Sequence, residues 1–184
     1  MPARPLLRAV PCFLAAVLLL LLLAPPAAPG SCADRNLAPT SDNLGAVRAA
    51  VVCLHNEVRA RHDLPRLKEN PRLRSAAGGH SADMVSRGYF AHTDPSGTTT
   101  ADRVRASGYV RDGDRRWAVG ENIAWGKRNR AKAARVMRTW MASPGHRAAV
   151  LNRTYRHLGV GIRPGVPPGG TSGATYTTDF GMRR

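Results

Sequence analysis

The chain has 184 residues, the size of one ordinary domain with a single core once an export leader is set aside. Its 28 Lys and Arg against 12 Asp and Glu give a net charge of +16 and a pI near 11.4. Such a surplus excludes attraction to cationic partners and points to anionic ones, while saying nothing about the fold.

Arg4 and Arg8 precede an unbroken apolar run of eleven residues, Phe13 to Leu23, and then the small, kinked stretch Ala24 to Gly30. Eleven residues rise roughly 16 Å as a helix, about half of a bilayer's hydrocarbon thickness. Residues 1–30 therefore read as a signal peptide, with Ala28 at −3 and Gly30 at −1 of the expected cleavage site. A lipid-anchored alternative would acylate Cys32, but Pro29-Gly30-Ser31 lacks the aliphatic residue such a motif carries at −3. Cleavage removes two positive charges, leaving +14, and no transmembrane anchor is expected afterwards. The predicted location is extracellular, with cell-wall association through charge. An exported chain rarely meets nucleic acid, so no specific nucleic-acid partner is expected. Anionic surfaces suit the compartment better, and the alternative is a merely solvated basic surface.

An arm follows over residues 31–45, and residues 46–184 form the expected domain. With Cys12 lost in the leader, Cys32 and Cys53 remain as a pair in an oxidising compartment, and a disulfide is the default expectation. Closing a loop of about 20 residues, it would stabilise by roughly 3 kcal/mol and pin the arm to the first helix.

Val47, Val51, Leu54 and Val58 recur at helical steps and predict a helix over 45–62. Asn70 as N-cap and Pro71 at N1 open a second, which closes at Gly88 with Leu73, Ala77, His80 and Met84 on one face. A short helix is expected from Thr100 to Ser107, stopping at Gly108. Another covers Arg130 to Met141, with Ala133, Val136 or Met137, and Trp140 inward. Ser143-Pro144 reads as N-cap and N1 of one more, ending near Asn152. Strand patterns run from Trp117 to Trp125, through Leu158, Val160 and Ile162, and from Tyr176 to Phe180 after a turn-rich segment. Helices interleaved with strands, the last two forming a hairpin, argue an α+β fold with helices covering a small antiparallel sheet. Trp117, Trp125 and Trp140 are expected in the core, and so is a hydrogen-bonded His80. His55, His62 and His157 are expected at the surface or at element ends.

Several blocks recur in a telling order: Gly79-His80-Ser81-Ala82-Asp83-Met84, Gly88-Tyr89-Phe90-Ala91-His92-Thr93 and Gly120-Glu121-Asn122-Ile123-Ala124. Trp140-Met141-Ala142-Ser143-Pro144-Gly145-His146-Arg147, His157-Leu158-Gly159-Val160-Gly161 and Asp179-Phe180-Gly181 complete the series. Together, from about Val47 to Gly181, they resemble the bacterial secreted branch of the cysteine-rich secretory, antigen 5 and pathogenesis-related family, the CAP or SCP domain. The resemblance implies a three-layer α-β-α sandwich with an open cleft lined, in eukaryotic members, by two histidines and two glutamates. His92, Glu121 and His146 match three of these positions, and Ser143 stands where the second glutamate would be. The cavity residues it implies are thus His92, Glu121, Ser143 and His146.

Physical reasoning adds to this. With Ser143 as N-cap, His146 falls at N3, where the helix's positive end disfavours an imidazolium. Glu121 lies in a mostly apolar strand and needs partners to offset its desolvation. His92 and His146, with Glu121 nearby, could hold a divalent metal such as Zn²⁺ with a position open for water. No local spacing of the His-Glu-x-x-His type supports such a site. The structural alternative is a buried hydrogen-bond network that orders the loops.

Two functions compete. The first is binding of a small lipid-like or cell-wall ligand, or of an anionic surface, consistent with the absence of a Gly-x-Ser-x-Gly elbow or a free cysteine. The second is hydrolysis, with His92 or Glu121 as general base on a water and His146 as partner.

Overall fold

The computed structural model describes residues 32–167 and 169–184. The expected leader over residues 1–30, Cys12 within it, and Ser31 at the start of the arm lie outside the described residues.

Capping and apolar spacing set the helices. Helix α1, Leu44–Ala60, buries Val47, Val51, Leu54 and Val58, the expected stripe. Helix α2, Pro71–Arg87, begins where the Asn70 side chain accepts from the backbone N–H groups of Arg72 and Leu73. It ends at Gly88, whose φ of +70° is the left-handed conformation glycine adopts most easily. Helix α3, Thr100–Ala106, opens on a capping box between Thr99 and Asp102. Helix α4, Ala133–Ala142, starts later than expected, because Arg128–Ala131 close into a separate 3-10 turn. Helix α5 is Pro144–Val150.

The sheet comprises β1 (Lys68–Glu69), β2 (Trp117–Lys127), β3 (His157–Pro164) and β4 (Gly173–Arg183), in the order β1-β3-β4-β2. The β3–β4 hairpin and the β4–β2 ladder are antiparallel, as expected. A two-residue parallel addition, β1 on β3, was not foreseen and makes the sheet mixed at that edge. It is placed from a distance: Asn56 of α1 donates to the Leu67 carbonyl at 3.1 Å and accepts from the Leu67 N–H at 2.7 Å.

Helix α2 covers one face of the sheet, where Gly159 and Gly161 present no side chain, so its backbone lies directly on β3. Ser81 of α2 donates to Thr177 of β4 at 2.9 Å on this face. Leu158, Val160, Tyr176 and Phe180 join the opposite core with Val47, Val51 and Leu54 of α1 and Val136, Met137 and Trp140 of α4. The architecture is therefore an α-β-α sandwich. Cys32 and Cys53 form a disulfide that ties the arm to α1. No helix among the described residues is long and apolar enough to cross a membrane.

His55, expected at the surface, and Trp125 and Trp117, expected in the core, are placed otherwise. His55 is fully buried between the rings of Trp140 and Phe180, because it flanks the apolar stripe on the side that α4 covers. Trp125 is 40% exposed, since β2 there runs out along the open edge of the sheet. Trp117 is half-buried beneath the Arg105 guanidinium, and only Trp140 of the three is fully enclosed.

Candidate functional site

Strand β2 pairs only with β4, so its outer side is free, and Glu121 sits midway along it. The Glu121 side chain is 2% exposed. An ionised carboxylate there needs several donors, and the loop after α2 and helix α3 supply them. His92 Nδ1 donates to Oε1 at 2.7 Å, and Arg103 Nη2 donates to Oε2 at 2.8 Å. His80 Nε2 lies 3.8 Å from Oε1 but donates instead to the Ala91 carbonyl at 3.0 Å. Burial alone would raise the Glu121 pKa. The bond from His92 and the charges of His80 and Arg103 outweigh it, and the carboxyl is held below its ordinary value.

Arg103 does more than neutralise. The same guanidinium donates to the Thr98 carbonyl at 3.0 Å and to the His92 carbonyl at 2.9 Å. It thereby ties the loop bearing His92 to the strand bearing Glu121. Since ionised Glu121 can only accept, the proton lies on His92 Nδ1, and the other ring nitrogen of this 54% exposed side chain carries a lone pair in the neutral form.

Directly across the ladder, Asp179 of β4 faces Glu121. It is fully buried, and neither carboxyl oxygen receives a hydrogen bond from a described group. Burial first, and then the charge of Glu121, push its pKa well above the ordinary value. The two carboxyls are thus shifted in opposite directions, Asp179 toward its neutral form and Glu121 toward its ionised one.

His146 stands at N3 of α5, half-buried, with Nδ1 enclosed and without a partner. Burial, and then the charge of His92, lower its pKa, so the two imidazoles sense one another and His146 stays neutral. Asn122, next to Glu121, donates to the His146 carbonyl at 3.0 Å and fastens α5 to the strand. Ser143 occupies the N-cap position, half-buried, but its side chain makes no capping bond. From the far side, Arg59 of α1 donates to the carbonyls of Val150 and Asn152 at 2.8 and 2.9 Å, fixing the C-terminal end of α5.

The donor set does not fit the Zn²⁺ site considered from the sequence. Both Glu121 oxygens are engaged, and a permanently cationic guanidinium 2.8 Å away opposes a divalent ion at that carboxylate. Among the described residues no three His, Cys, Asp or Glu side chains converge as a metal-holding group. What the arrangement offers is a positioned imidazole at the rim of an open hollow of about 410 Å³, beside Thr93, Thr99 and Thr100. His146 does not line that hollow.

Sequence reasoning missed Arg103, Asp179 as the partner of Glu121, and Arg59. The capping box that fixes α3 is legible at Thr99 and Asp102, but the partner of Arg103 lies 18 residues away. The Glu121–Asp179 pairing depends on strand register, which one chain's pattern does not specify at this distance.

Residues 52–169 match the model of the cysteine-rich secretory protein family, CAP. The Bacillus subtilis membrane protein YlbC, itself described as uncharacterized, is 37% identical over 112 residues, 61% of this chain and 30% of that protein. The B. subtilis protein YkwD is 32% identical over 143 residues, 78% of this chain and 49% of that protein. The chain thus spans less than half the length of either relative. An extracellular SCP-domain protein from Bacillus anthracis superposes with a TM-score of 0.61 at 29% identity, over 77% of this chain and 43% of that one. An outer surface protein from Borrelia burgdorferi shares the fold with a TM-score of 0.65 at 19% identity, over 80% of this chain and all of that one. The extent of the family match, and the order in which its motifs fall on these elements, make the chain a member of the cysteine-rich secretory protein (CAP) family.

Proposed function

We propose that the chain is an exported domain that binds a polar component of the cell envelope in the hollow beside His92. The observation that carries this reading is the state of Glu121. Both its oxygens are bonded and it is 2% exposed, so it orients His92 instead of meeting a ligand. The polar groups left facing outward are an imidazole and threonine side chains. They suit a ligand rich in hydroxyl, amide or phosphate groups, such as a wall sugar or peptide. Ala101 and Val119 also line the hollow and give it an apolar portion, so a lipid-like ligand with a polar head is a second form of the proposal. Export is supported by the leader pattern in residues 1–30 and by a similar solved protein described as extracellular.

The test is retention of purified protein on isolated cell wall and on lipid vesicles, at low and moderate salt. Wall retention is expected, weakened at least tenfold in His92→Ala. Absence of retention on wall at either salt rejects the proposal.

One observation favours a second reading, hydrolysis. A histidine whose Nδ1 is anchored by a buried carboxylate has its ring orientation and tautomer fixed, as a general base requires. Screening of peptide, ester and wall substrates with wild type, Glu121→Gln and His146→Ala decides it. Equal turnover in all three removes these residues from any catalytic role.

A further inference from the structure

A second recessed surface lies where β2 runs past the 3-10 turn toward α4. Trp125, Arg130, Arg135, Arg138 and Thr139 surround a groove of about 460 Å³ floored by Val136. None of its lining residues belongs to the His92 hollow. Arg135, Arg138 and Thr139 stand at helical steps of three and four, so they share one face of α4. Trp125 exposes 40% of its surface beside them.

Charge is segregated around this groove. Residues 122–184 carry 12 Lys and Arg and a single acid, Asp179, which is fully buried. The ion pairs among the described residues engage Arg35, Arg61, Arg74, Arg87, Arg103 and Arg183, and none of the three groove arginines. Three guanidinium forks without a local carboxylate, arranged about an exposed indole, form an arrangement that internal packing does not require.

We propose that this groove binds an anionic glycan, a chain of sugar rings bearing carboxylate or phosphate groups. The guanidinium groups supply paired N–H donors that match such oxyanions. The indole supplies a flat apolar face against which the C–H side of a sugar ring can lie while its hydroxyls stay in water. A concave groove follows a flexible chain, whereas a flat bilayer would rest on its rims and leave the floor empty. The proposal is independent of the reading of the His92 hollow, and the variants chosen keep the two apart.

The experiment measures binding of the full chain to immobilised polygalacturonate, with neutral dextran, phosphatidylglycerol vesicles and oligo-deoxythymidine as comparison probes. Expected is binding to polygalacturonate that weakens steeply with salt, with none to dextran. Trp125→Ala should weaken it about tenfold, and the double variant Arg135→Ala/Arg138→Ala by tenfold or more. His92→Ala and Glu121→Gln should bind as wild type. All substituted groove residues are exposed, and near-ultraviolet circular dichroism checks that each variant keeps its packing. Three outcomes overturn the proposal. One is wild-type binding by both groove variants. Another is an equal loss on replacing Arg147 and Arg153, exposed arginines outside the groove. The third is vesicle or oligonucleotide binding as tight as that of polygalacturonate and indifferent to Trp125.

Discussion

Glu121 and Asp179 face each other across the β2–β4 ladder, both buried, yet their pKa values are shifted in opposite directions. The difference lies in donors: Glu121 receives His92 and Arg103, and Asp179 receives none. Asn in place of Asp179 keeps the shape and offers an N–H toward Glu121 without binding a proton. Asp179 ionises near 3.8 in an unfolded chain and only well above that when folded. Through that window the folded state holds the extra proton, so the contribution of Asp179 is favourable below about pH 4 and is lost as pH rises. Asp179→Asn should therefore be more stable than wild type at pH 7, by roughly 1–2 kcal/mol, with the advantage gone at pH 3.5. Urea unfolding at the two pH values measures it. A variant less stable at both would mean that Asp179 makes a bond its carboxylate needs.

At the scale of elements, the contact between α2 and β3 sets the position of His92, which follows α2 in the chain. A Cβ on Gly159 would land on the backbone of Leu73 and Arg74, and one on Gly161 on that of Ala77 and Gly78. Backbone cannot swing aside as a side chain can, so the helix would have to lift off the sheet. Gly159→Ala and Gly161→Ala should each cost about 3 kcal/mol, the upper end for overpacking. Gly145→Ala, in the first turn of α5 with nothing within 4 Å, should be neutral or slightly stabilising. Thermal melts of the three variants give the comparison. The helices were legible in the sequence because their signals are local: Asn70-Pro71 and Gly88 mark α2, and the valine–leucine stripe marks α1. Strand β1 was not, since two exposed residues carry no alternation and Asn56 places them through space. The same limit hid half of the candidate site. His92, Glu121 and His146 stand out in their motifs, but Arg103 and Asp179 acquire their roles only through partners brought in by register and packing.

For the whole molecule, the core holds the three layers together while the disulfide ties the arm to α1, and buried or half-buried histidines make the fold sensitive to acid. His55, His80, His146 and His157 all have pKa values lowered first of all by burial. His55 is the extreme case, moved from 6.5 to about 4. Its Nδ1 donates to the Val51 carbonyl at 2.8 Å, and its Nε2 has no partner, so there is nowhere to stabilise a second proton. Below pH 6.5 the unfolded chain takes up that proton and the folded one does not, so stability falls as pH drops toward 4. The full effect of this one residue is on the order of 3 kcal/mol. His55→Leu fills a similar space between Trp140 and Phe180 and removes the proton site. Near-ultraviolet circular dichroism in fixed urea, followed from pH 7 to pH 3, should show the variant losing its fold about one pH unit lower than wild type. At pH 7 the two should differ little, because His55 is neutral there in both folded and unfolded chains. An unchanged acid midpoint would assign the acid limb to His80, His146 or the Glu121 network instead, and the corresponding His80 variant would then be the one to shift it.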